Sequence, residues 1–170
     1  TRAFYNINEH SPCKPKDAPP QRGKLMDIKI QKLKENAIIP TRATDGSAGM
    51  DLHACIDSPV TIEAGQRVTV PTGIAVALPS NQYGLFIFAR SGLGIKYGIA
   101  LSNGVGVVDS DYRGEICVGL QNSSNKSYTV APNDRIAQMV VMPVCTPNIT
   151  EVTALDDTAR STGGFGSTGK

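Results

Sequence analysis

The sequence predicts an all-β domain of the sandwich, jelly-roll or barrel type, and three observations carry that prediction. Apolar and polar residues alternate over short stretches, as at Ile116, Val118 and Leu120, which is the period of a strand with one buried face. Glycine, proline and asparagine interrupt these stretches at short intervals, as turns do between strands. The chain has no long amphipathic helical stretch, which leaves the all-β architectures.

The composition is that of a single globular domain. The chain has 170 residues, of which 40% are hydrophobic and 19% charged, and this suits one packed core. Seventeen Lys and Arg against fifteen Asp and Glu give a net charge of +2, without the basic surplus of nucleic-acid-binding proteins. No apolar run approaches the roughly 18 residues of a membrane span. We therefore expect neither a nucleic-acid partner nor a membrane association.

Four scattered cysteines predict a set of reduced thiols. Cys13, Cys55, Cys117 and Cys145 form no CxxC pair, so a zinc site is not expected. Cys117 and Cys145 lie in apolar runs and are predicted to be buried as small hydrophobic residues. Reduced thiols indicate an intracellular, cytoplasmic protein.

Residues 1–25 are predicted to form a flexible extension. The stretch 11–24 contains four prolines and almost no large apolar side chain, and such a segment cannot bury enough surface to offset the entropy lost on ordering. The β domain is therefore expected to span residues 26–158, followed by a glycine-rich C-terminal segment over 159–170.

The strands of the domain are predicted in order from Met26. Met26, Ile28 and Ile30 alternate with polar residues, and Ile74, Val76 and Leu78 alternate with alanines. Denser apolar runs follow at 83–89 and 136–142, as expected for strands that are covered on both faces.

The block 103–114, Asn-Gly-Val-Gly-Val-Val-Asp-Ser-Asp-Tyr-Arg-Gly, predicts a strand that runs into a tight polar turn. The ordinary interpretation is a hairpin in which Asp109 and Asp111 cap turn amides. Asn103 lies six residues before Asp109, so both side chains could also project into one pocket at the hairpin mouth. An asparagine offers a donor and an acceptor to a nucleobase edge, and a carboxylate near a phosphate could act as general base on water.

The block 89–98 follows a predicted strand and could begin a short helical turn with Ser91 as its N-cap. Exposed amides at that turn, beside Arg90 and a hydroxyl, would suit a phosphate group. The alternative is a simple strand-to-turn junction with a surface arginine.

Two further blocks contribute single polar side chains. In 43–52, Gly46 and Gly49 predict unusual backbone angles in a loop that delivers Asp51 to a strand; Asp51 could orient metal-bound water or cap a turn. Gln138 interrupts an apolar run, so its amide is either satisfied in the core or faces a site.

The tail is poor material for a core but suitable for a lid. Residues 161–170 hold four glycines and one large apolar side chain, Phe165. Phe165 could stack on a flat ligand, while Arg160 and the nearby hydroxyls hold phosphate oxygens. A disordered terminus is the alternative.

Together and in this order, the five blocks resemble the five motifs of the trimeric deoxyuridine triphosphatases (dUTPases), over roughly residues 26–170. The strings are Gly-Ser-Ala-Gly-Met-Asp-Leu, Arg-Ser-Gly-Leu-Gly, Gly-Val-Val-Asp-Ser-Asp-Tyr-Arg-Gly, Asp-Arg-Ile-Ala-Gln and Gly-Gly-Phe-Gly-Ser-Thr-Gly. Asn103, where animal members often have glycine, makes the set similar to the bacterial type.

The resemblance implies a jelly-roll-like homotrimer that hydrolyses dUTP to dUMP and pyrophosphate. Such an enzyme keeps uracil out of DNA and supplies dUMP for thymidylate synthesis. The family builds its active sites at subunit interfaces, where the C-terminal motif of one subunit closes over a pocket made largely by the other two. Mg²⁺ would be held mainly by the substrate phosphates and water.

The resemblance also implies a role for each candidate residue. Asp109 would be the general base that activates the water attacking the α-phosphorus, Asn103 would read the uracil edge, and Tyr112 would pack against the deoxyribose. Phe165 would cover the uracil ring, and Asp51 would support the site through water near the metal. The phosphates would be held by a further set: Arg90, Ser91, Gly92, Gln138, Arg160, Ser167 and Thr168.

Two other functions are compatible with the same fold. A dCTP deaminase needs a catalytic glutamate in the hairpin region; Glu115 lies two residues outside that place, and Arg-Ser-Gly-Leu-Gly is the dUTPase form of its block. A member that works only by binding a regulatory protein would not need the intact Asp109, Tyr112 and Phe165.

Overall fold

Eleven short strands and one helix make up the secondary structure of residues 26–159, 161 and 162, which are the residues that the computed structural model describes. In chain order they are β1 (Lys29–Lys32), β2 (Met50–His53), β3 (Val60–Ile62), β4 (Arg67–Pro71), β5 (Ile74–Ala77), β6 (Tyr83–Phe88), α1 (Ser91–Tyr97), β7 (Ile99–Leu101), β8 (Gly106–Val108), β9 (Cys117–Asn122), β10 (Tyr128–Val130) and β11 (Arg135–Pro143). Over the same residues, no helix has the length and apolar character needed to cross a membrane.

The strands form four antiparallel sheets with the orders β1-β5, β10-β3, β2-β11-β6-β8 and β4-β9-β7. Sheet neighbours such as β2 and β11 lie far apart in the chain, so the connections cross between sheets as they do in jelly rolls. The predicted fold class is therefore confirmed.

The core lies between the sheets and follows the alternation of the strands. In β9, Val118, Leu120 and Asn122 are buried, whereas Cys117 faces outward. The two dense apolar runs form β6 and β11, and no residue of β6 is exposed. The largest fully buried side chains come from every sheet, and they include Leu52, Ile62, Ile74, Leu85, Ile99, Leu120, Ile136 and Met139.

The predicted burial of two cysteines is wrong. Cys117 begins β9 on the face opposite to Val118, and Cys145 follows the last strand; both are exposed. Apolar neighbours in sequence did not reveal this because a strand turns successive side chains to opposite faces. Cys55 is buried instead, and its thiol donates to Asn36 Oδ1 at 3.3 Å.

Beyond β11 the chain continues without a strand or helix over residues 144–159. Apolar side chains in this segment face outward, and Ile149 is 96% and Leu155 86% exposed. The predicted extension over 1–25 lies outside the described residues, as does the predicted lid apart from residues 159, 161 and 162.

Candidate functional site

The predicted site residues fall into two groups at opposite ends of β6. Arg90 and Ser91 follow the end of this strand. Asp109 lies near its beginning, because β8 pairs with β6 antiparallel, with Val108 opposite Leu85, and the next register position sets Asp109 opposite Gly84. Six residues of extended chain separate positions 84 and 90, which is about 20 Å. One chain therefore holds the two groups well apart.

The first group, called the Arg90 group here, consists of Asp51, Arg90, Arg135 and Gln138. Three neighbouring strands assemble it: Gln138 of β11 pairs with Asp51 of β2 on one side and with Phe88 of β6 on the other. The chain leaves β6 just beyond Phe88, so Arg90 emerges beside this row of residues.

A shared carboxylate holds the two arginines of the Arg90 group. Arg90 Nε donates to Asp51 Oδ1 at 3.1 Å, and Arg135 Nη1 donates to Asp51 Oδ2 at 3.1 Å. Arg90 Nη1 also donates to the carbonyl oxygen of Arg135 at 3.1 Å. The Asp51 side chain is only 17% exposed, so its charge is compensated by these two guanidinium groups.

Gln138 attaches the same strand to the start of the helix. Its Nε2 donates to the carbonyl oxygen of Ala89 at 3.0 Å. Its Oε1 lies against Gly49, where a Cβ would come within 2.6 Å of it. The predicted unusual backbone angles at Gly46 and Gly49 are wrong, because neither has a positive φ. Gly49 fits its position because Gln138 leaves no room for a side chain.

The N-cap of helix α1 lies one residue before the predicted one. Arg90 is the N-cap, with extended backbone angles of φ −91° and ψ 129° and no side-chain cap, and Ser91 is the first helical residue. The predicted N-cap at Ser91 is therefore wrong. The amides of Leu93 and Gly94 donate to Arg90 O, which leaves those of Ser91 and Gly92 without an acceptor inside the helix.

The second group, called the Asp109 group here, consists of Asp109, Tyr112, Glu115 and Cys117. The predicted hairpin through this block is wrong: β8 pairs with β6, whereas β9 pairs with β4 and β7. Residues 109–116 instead form a connection that leaves one sheet and enters another. Local sequence indicated the turn but not the strand partners, which are chosen by long-range packing.

A pocket of about 250 Å³ opens at the Asp109 group. Tyr112, which is 47% exposed, donates from its hydroxyl to the carbonyl oxygen of Glu115 at 3.2 Å. Its ring also covers Gly114 so closely that any side chain there would collide with it. The pocket thus combines an exposed carboxylate, a held aromatic ring and apolar walls: it is lined by Ile87, Val107, Val108, Asp109, Tyr112, Glu115, Ile116 and Cys117.

Glu115 and Cys117 line this pocket, but their contacts and protonation do not indicate a catalytic role. Glu115 Oε1 accepts the amide of Gly73 at 2.8 Å, at a turn where Gly73 has a φ of 69°. Partial burial raises the pKa of the Cys117 thiol, and the neighbouring Glu115 carboxylate raises it further. The thiol is therefore protonated and a weak nucleophile.

Asn103 does not line this pocket. It is exposed in the turn between β7 and β8, where its carbonyl oxygen accepts the amide of Val105 at 2.9 Å. Arg160, Phe165, Ser167 and Thr168 lie outside the described residues.

Arg135 is the functional candidate that sequence reasoning missed. It lies three residues before Gln138, and in a regular strand the two side chains would point to opposite faces. A bulge between Arg135 and Ala137 shifts the register so that Arg135 pairs with His53 while Gln138 pairs with Asp51, and this brings both to one face. The block containing Arg135 was visible in the sequence, but the bulge was not.

His53 packs beside the Arg90 group and is not needed as a ligand. Burial lowers its pKa, the Asp51 carboxylate partly opposes this, and Arg135 and Arg90 lower it further. Its Nδ1 is buried without a hydrogen-bond partner among the described residues. Those residues also contain no cluster of three metal-ligating His, Cys, Asp or Glu side chains.

Comparisons with known proteins agree on one family. The family model described as dUTPase matches residues 35–169. The deoxyuridine 5'-triphosphate nucleotidohydrolase of Desulfitobacterium hafniense is 54% identical over 131 residues, which is 77% of this chain and 87% of that protein.

Solved structures show the same fold at lower sequence identity. A dUTPase variant of Staphylococcus bacteriophage 80alpha with dUpNHpp is 23% identical, with a TM-score of 0.76 over 85% of this chain and 99% of that one. A mutant dUTPase of phage phi11 of S. aureus, described with a structural Mg(II) ion, is 22% identical, with a TM-score of 0.69 over 77% and 99%.

Proposed function

The chain belongs to the dUTPase family and hydrolyses dUTP, and we propose that Asp109 activates the attacking water while the Arg90 group binds the phosphates. The observation that carries this assignment is the contrast between the two groups. One is an exposed carboxylate beside an aromatic ring in a pocket, which suits acid–base work on a nucleoside. The other contains two arginines on one carboxylate, which suits an anion.

In the proposed reaction, the Asp109 carboxylate takes a proton from a water molecule while the oxygen of that water attacks the α-phosphorus of dUTP. The bond to the bridging oxygen then breaks, and dUMP and pyrophosphate are released. The exposure of Asp109 leaves room for a water molecule between the carboxylate and a phosphate.

Recognition of the nucleoside is assigned to Asn103 and Tyr112. The Asn103 amide offers both a donor and an acceptor to the uracil edge. The Tyr112 ring is held by its hydroxyl bond and by Gly114, so it would exclude a 2′-hydroxyl from the sugar by contact rather than by charge.

The phosphates are assigned to Arg90, to the amides of Ser91 and Gly92, and to Gln138. The two amides lack an acceptor within α1, and Gln138 Nε2 retains a second hydrogen beyond the one given to Ala89. Asp51 supports them by holding Arg90. From the tail, Arg160, Ser167 and Thr168 would bind the outer phosphates, and Phe165 would cover the uracil, with residues 159–170 acting as a lid.

Mg²⁺ is the proposed metal, held mainly by the substrate phosphates and water. The donor set fits this assignment: no metal-ligating cluster occurs among the described residues, and both oxygens of Asp51 are taken by arginines. Mg²⁺ commonly keeps several waters and binds through substrate phosphates. When bound, it would neutralise phosphate charge.

A homotrimer with shared sites is proposed, and the separation of the two groups supports the sharing. A general base must lie within hydrogen-bond reach of the proton that it removes, and about 20 Å of β6 separates the Asp109 and Arg90 positions within one chain. We infer that one subunit supplies Asp109 and another the Arg90 group. Exposed apolar side chains that a neighbour would cover support this: Val107, Ile149 and Leu155 are 65%, 96% and 86% exposed.

We assign catalysis to residues 26–158 with the lid, and leave 1–25 as an extension outside the core. The free thiols of Cys55, Cys117 and Cys145 fit a reducing, cytoplasmic compartment. A net charge of +2 gives no reason to propose a nucleic-acid partner, and the bond between Glu115 and Gly73 gives none to propose deamination.

Product analysis tests the proposed function. The purified protein is incubated with Mg²⁺ and, separately, with dUTP, dCTP, dTTP and UTP, and the products are resolved by ion-exchange chromatography. Conversion of dUTP alone to dUMP and pyrophosphate is expected. Release of ammonia from dCTP would assign the site to the deaminases, and no turnover of any nucleotide would leave a binding role.

A further inference from the structure

Arg135 contacts both Arg90 and Asp51 but, unlike the other members of the Arg90 group, has no individual role in the proposed function. Its Nη1 donates to Asp51 Oδ2 at 3.1 Å, while its backbone carbonyl oxygen accepts Arg90 Nη1 at 3.1 Å. Asp51 Oδ1 is occupied by Arg90 Nε. The guanidinium of Arg90 is therefore fixed at two of its three nitrogens, and only Nη2 is left to point away from this framework.

The second arginine also changes the charge of the group. A single arginine on the Asp51 carboxylate would form a neutral pair, whereas two arginines on one carboxylate leave an excess of one positive charge. A neutral pair attracts a polyphosphate weakly, and a cationic group attracts it strongly. Arg135 thus preserves the positive charge that the pairing of Arg90 with Asp51 would otherwise cancel.

The bulge in β11 makes this arrangement possible. Because the register shifts between Arg135 and Ala137, Arg135 and Gln138 reach the same junction from one strand. Gln138 holds the carbonyl of Ala89 at 3.0 Å. Arg135 holds the next residue, Arg90, with its backbone carbonyl and, through Asp51, with its side chain. The segment 135–138 therefore fixes the junction between β6 and α1 at two successive residues.

We propose that Arg135 is a positioning residue, which holds the Arg90 guanidinium in place and keeps the Arg90 group cationic so that the phosphate chain of dUTP binds. The proposal rests on the assignment of the Arg90 group to the phosphates. It differs from a direct role, in which Arg135, whose side chain is 51% exposed, would contact a phosphate by itself.

A double-mutant cycle separates these two roles. The variants are Arg135→Ala, Arg90→Ala and the double variant, with Arg135→Lys as the version that keeps the charge and Arg67→Ala, at the exposed start of β4, as the control for losing one positive charge. Affinity for dUpNHpp and for deoxyuridine is measured by calorimetry, kcat and KM with dUTP in steady-state assays, and folding by thermal unfolding.

Arg135→Ala is expected to weaken dUpNHpp binding about tenfold, the scale of a hydrogen bond to a charged group. Deoxyuridine, which has no phosphate, should bind as it does to the wild type, and Arg67→Ala should change neither affinity. In the Arg90→Ala background, the loss from Arg135→Ala should be clearly smaller than tenfold, because there is no Arg90 left to position and only the change of one unit of charge remains. The dUpNHpp affinity of Arg135→Lys should lie between those of the wild type and Arg135→Ala, since lysine keeps the positive charge but lacks the planar guanidinium group.

Three results would overturn the proposal. They are an equal tenfold loss from Arg135→Ala with and without Arg90, equal weakening of dUpNHpp and deoxyuridine, or unchanged dUpNHpp affinity in a folded Arg135→Ala protein. If Arg135→Ala does not fold, Arg135→Lys carries the same cycle. Failure of the proposed function would look different, because the wild type itself would neither hydrolyse dUTP nor bind dUpNHpp.

Discussion

The Arg90 group and the Asp109 group are built in opposite ways. In the Arg90 group, Asp51, Arg90 and Arg135 are joined by ion pairs and hydrogen bonds of 3.1 Å, and Gln138 bonds the backbone just before Arg90 at 3.0 Å. In the Asp109 group, the Asp109 carboxylate makes no hydrogen bond to any described residue, and Tyr112 is held by one bond to a backbone carbonyl. One group is locked by its own chain, whereas the other is open.

The difference between the two groups suits the division of work in the proposed function. Binding a flexible anion benefits from donors that are fixed in advance, because the cost of ordering them is met during folding. A general base must instead remain free to approach a water molecule. The Asp109 group also lies beside exposed apolar residues such as Val107. In the proposed trimer, a neighbouring subunit and the substrate would cover this surface.

The largest expected effect on activity comes from a substitution in the Asp109 group. Asp109→Asn should lower kcat for dUTP by about 10²–10⁴-fold, the usual contribution of a general base, while dUpNHpp still binds. Asp111→Asn is the matched control, since Asp111 is exposed in the same connection and has no assigned role. Near-normal turnover by Asp109→Asn in steady-state assays would remove Asp109 from the role of base.

The next effect concerns sugar selection. Tyr112→Ala should reduce the preference for dUTP over UTP in kcat/KM by about 10- to 100-fold, the range within which a pocket discriminates by shape. Tyr112→Phe keeps the ring and loses only the hydroxyl bond to Glu115, so it should retain the preference. An unchanged preference in the alanine variant would mean that another group excludes the 2′-hydroxyl.

A smaller effect is expected when a side chain is added next to Gln138 of the Arg90 group. Gly49→Ala brings a Cβ to 2.6 Å from Gln138 Oε1, so it should destabilise the protein by about 1–3 kcal/mol, as overpacking usually does. Gly46→Ala is the control in the same loop, because a Cβ there meets nothing within 4 Å. Equal denaturation midpoints for the two variants would show that Gln138 is free to move, and the contrast between the groups would weaken.

The smallest effect is a dependence of stability on pH through His53. Because burial beside two arginines lowers the pKa of folded His53 below its ordinary 6.5, the unfolded chain binds this proton more readily than the folded one. Stability should therefore fall as the pH drops below 6.5, until the pH passes the lowered value. His53→Gln should show a shallower fall in urea unfolding; identical slopes would mean that His53 titrates freely.

The sequence predicted the individual residues of this site better than the strand pairing that brings them together. Arg90, Asp51 and Gln138 were singled out from separate blocks, and the structure brings all three together. Each was visible because it breaks an apolar pattern or stands in a short polar motif. The strands were likewise predicted from alternation and turn residues, which are local properties.

What could not be predicted depends on pairing between distant strands. The expected hairpin at Asp109 failed because β8 and β9 join different sheets. The contribution of Arg135 was hidden because a bulge changes the face that it occupies. The separation of Asp109 from Arg90, which supports the proposal of shared sites, follows only from the register of β8 on β6.

Mixing two inactive variants tests the shared site most directly. Asp109→Asn and Arg90→Ala, each inactive alone, are refolded together in equal amounts, and dUTP hydrolysis is compared with that of the refolded wild type. If one subunit supplies Asp109 and another Arg90, every mixed trimer regains one intact site, and random mixing restores about a quarter of the wild-type activity. Activity that stays at the level of the separate variants would contradict this account, because both residues would then act within a single chain.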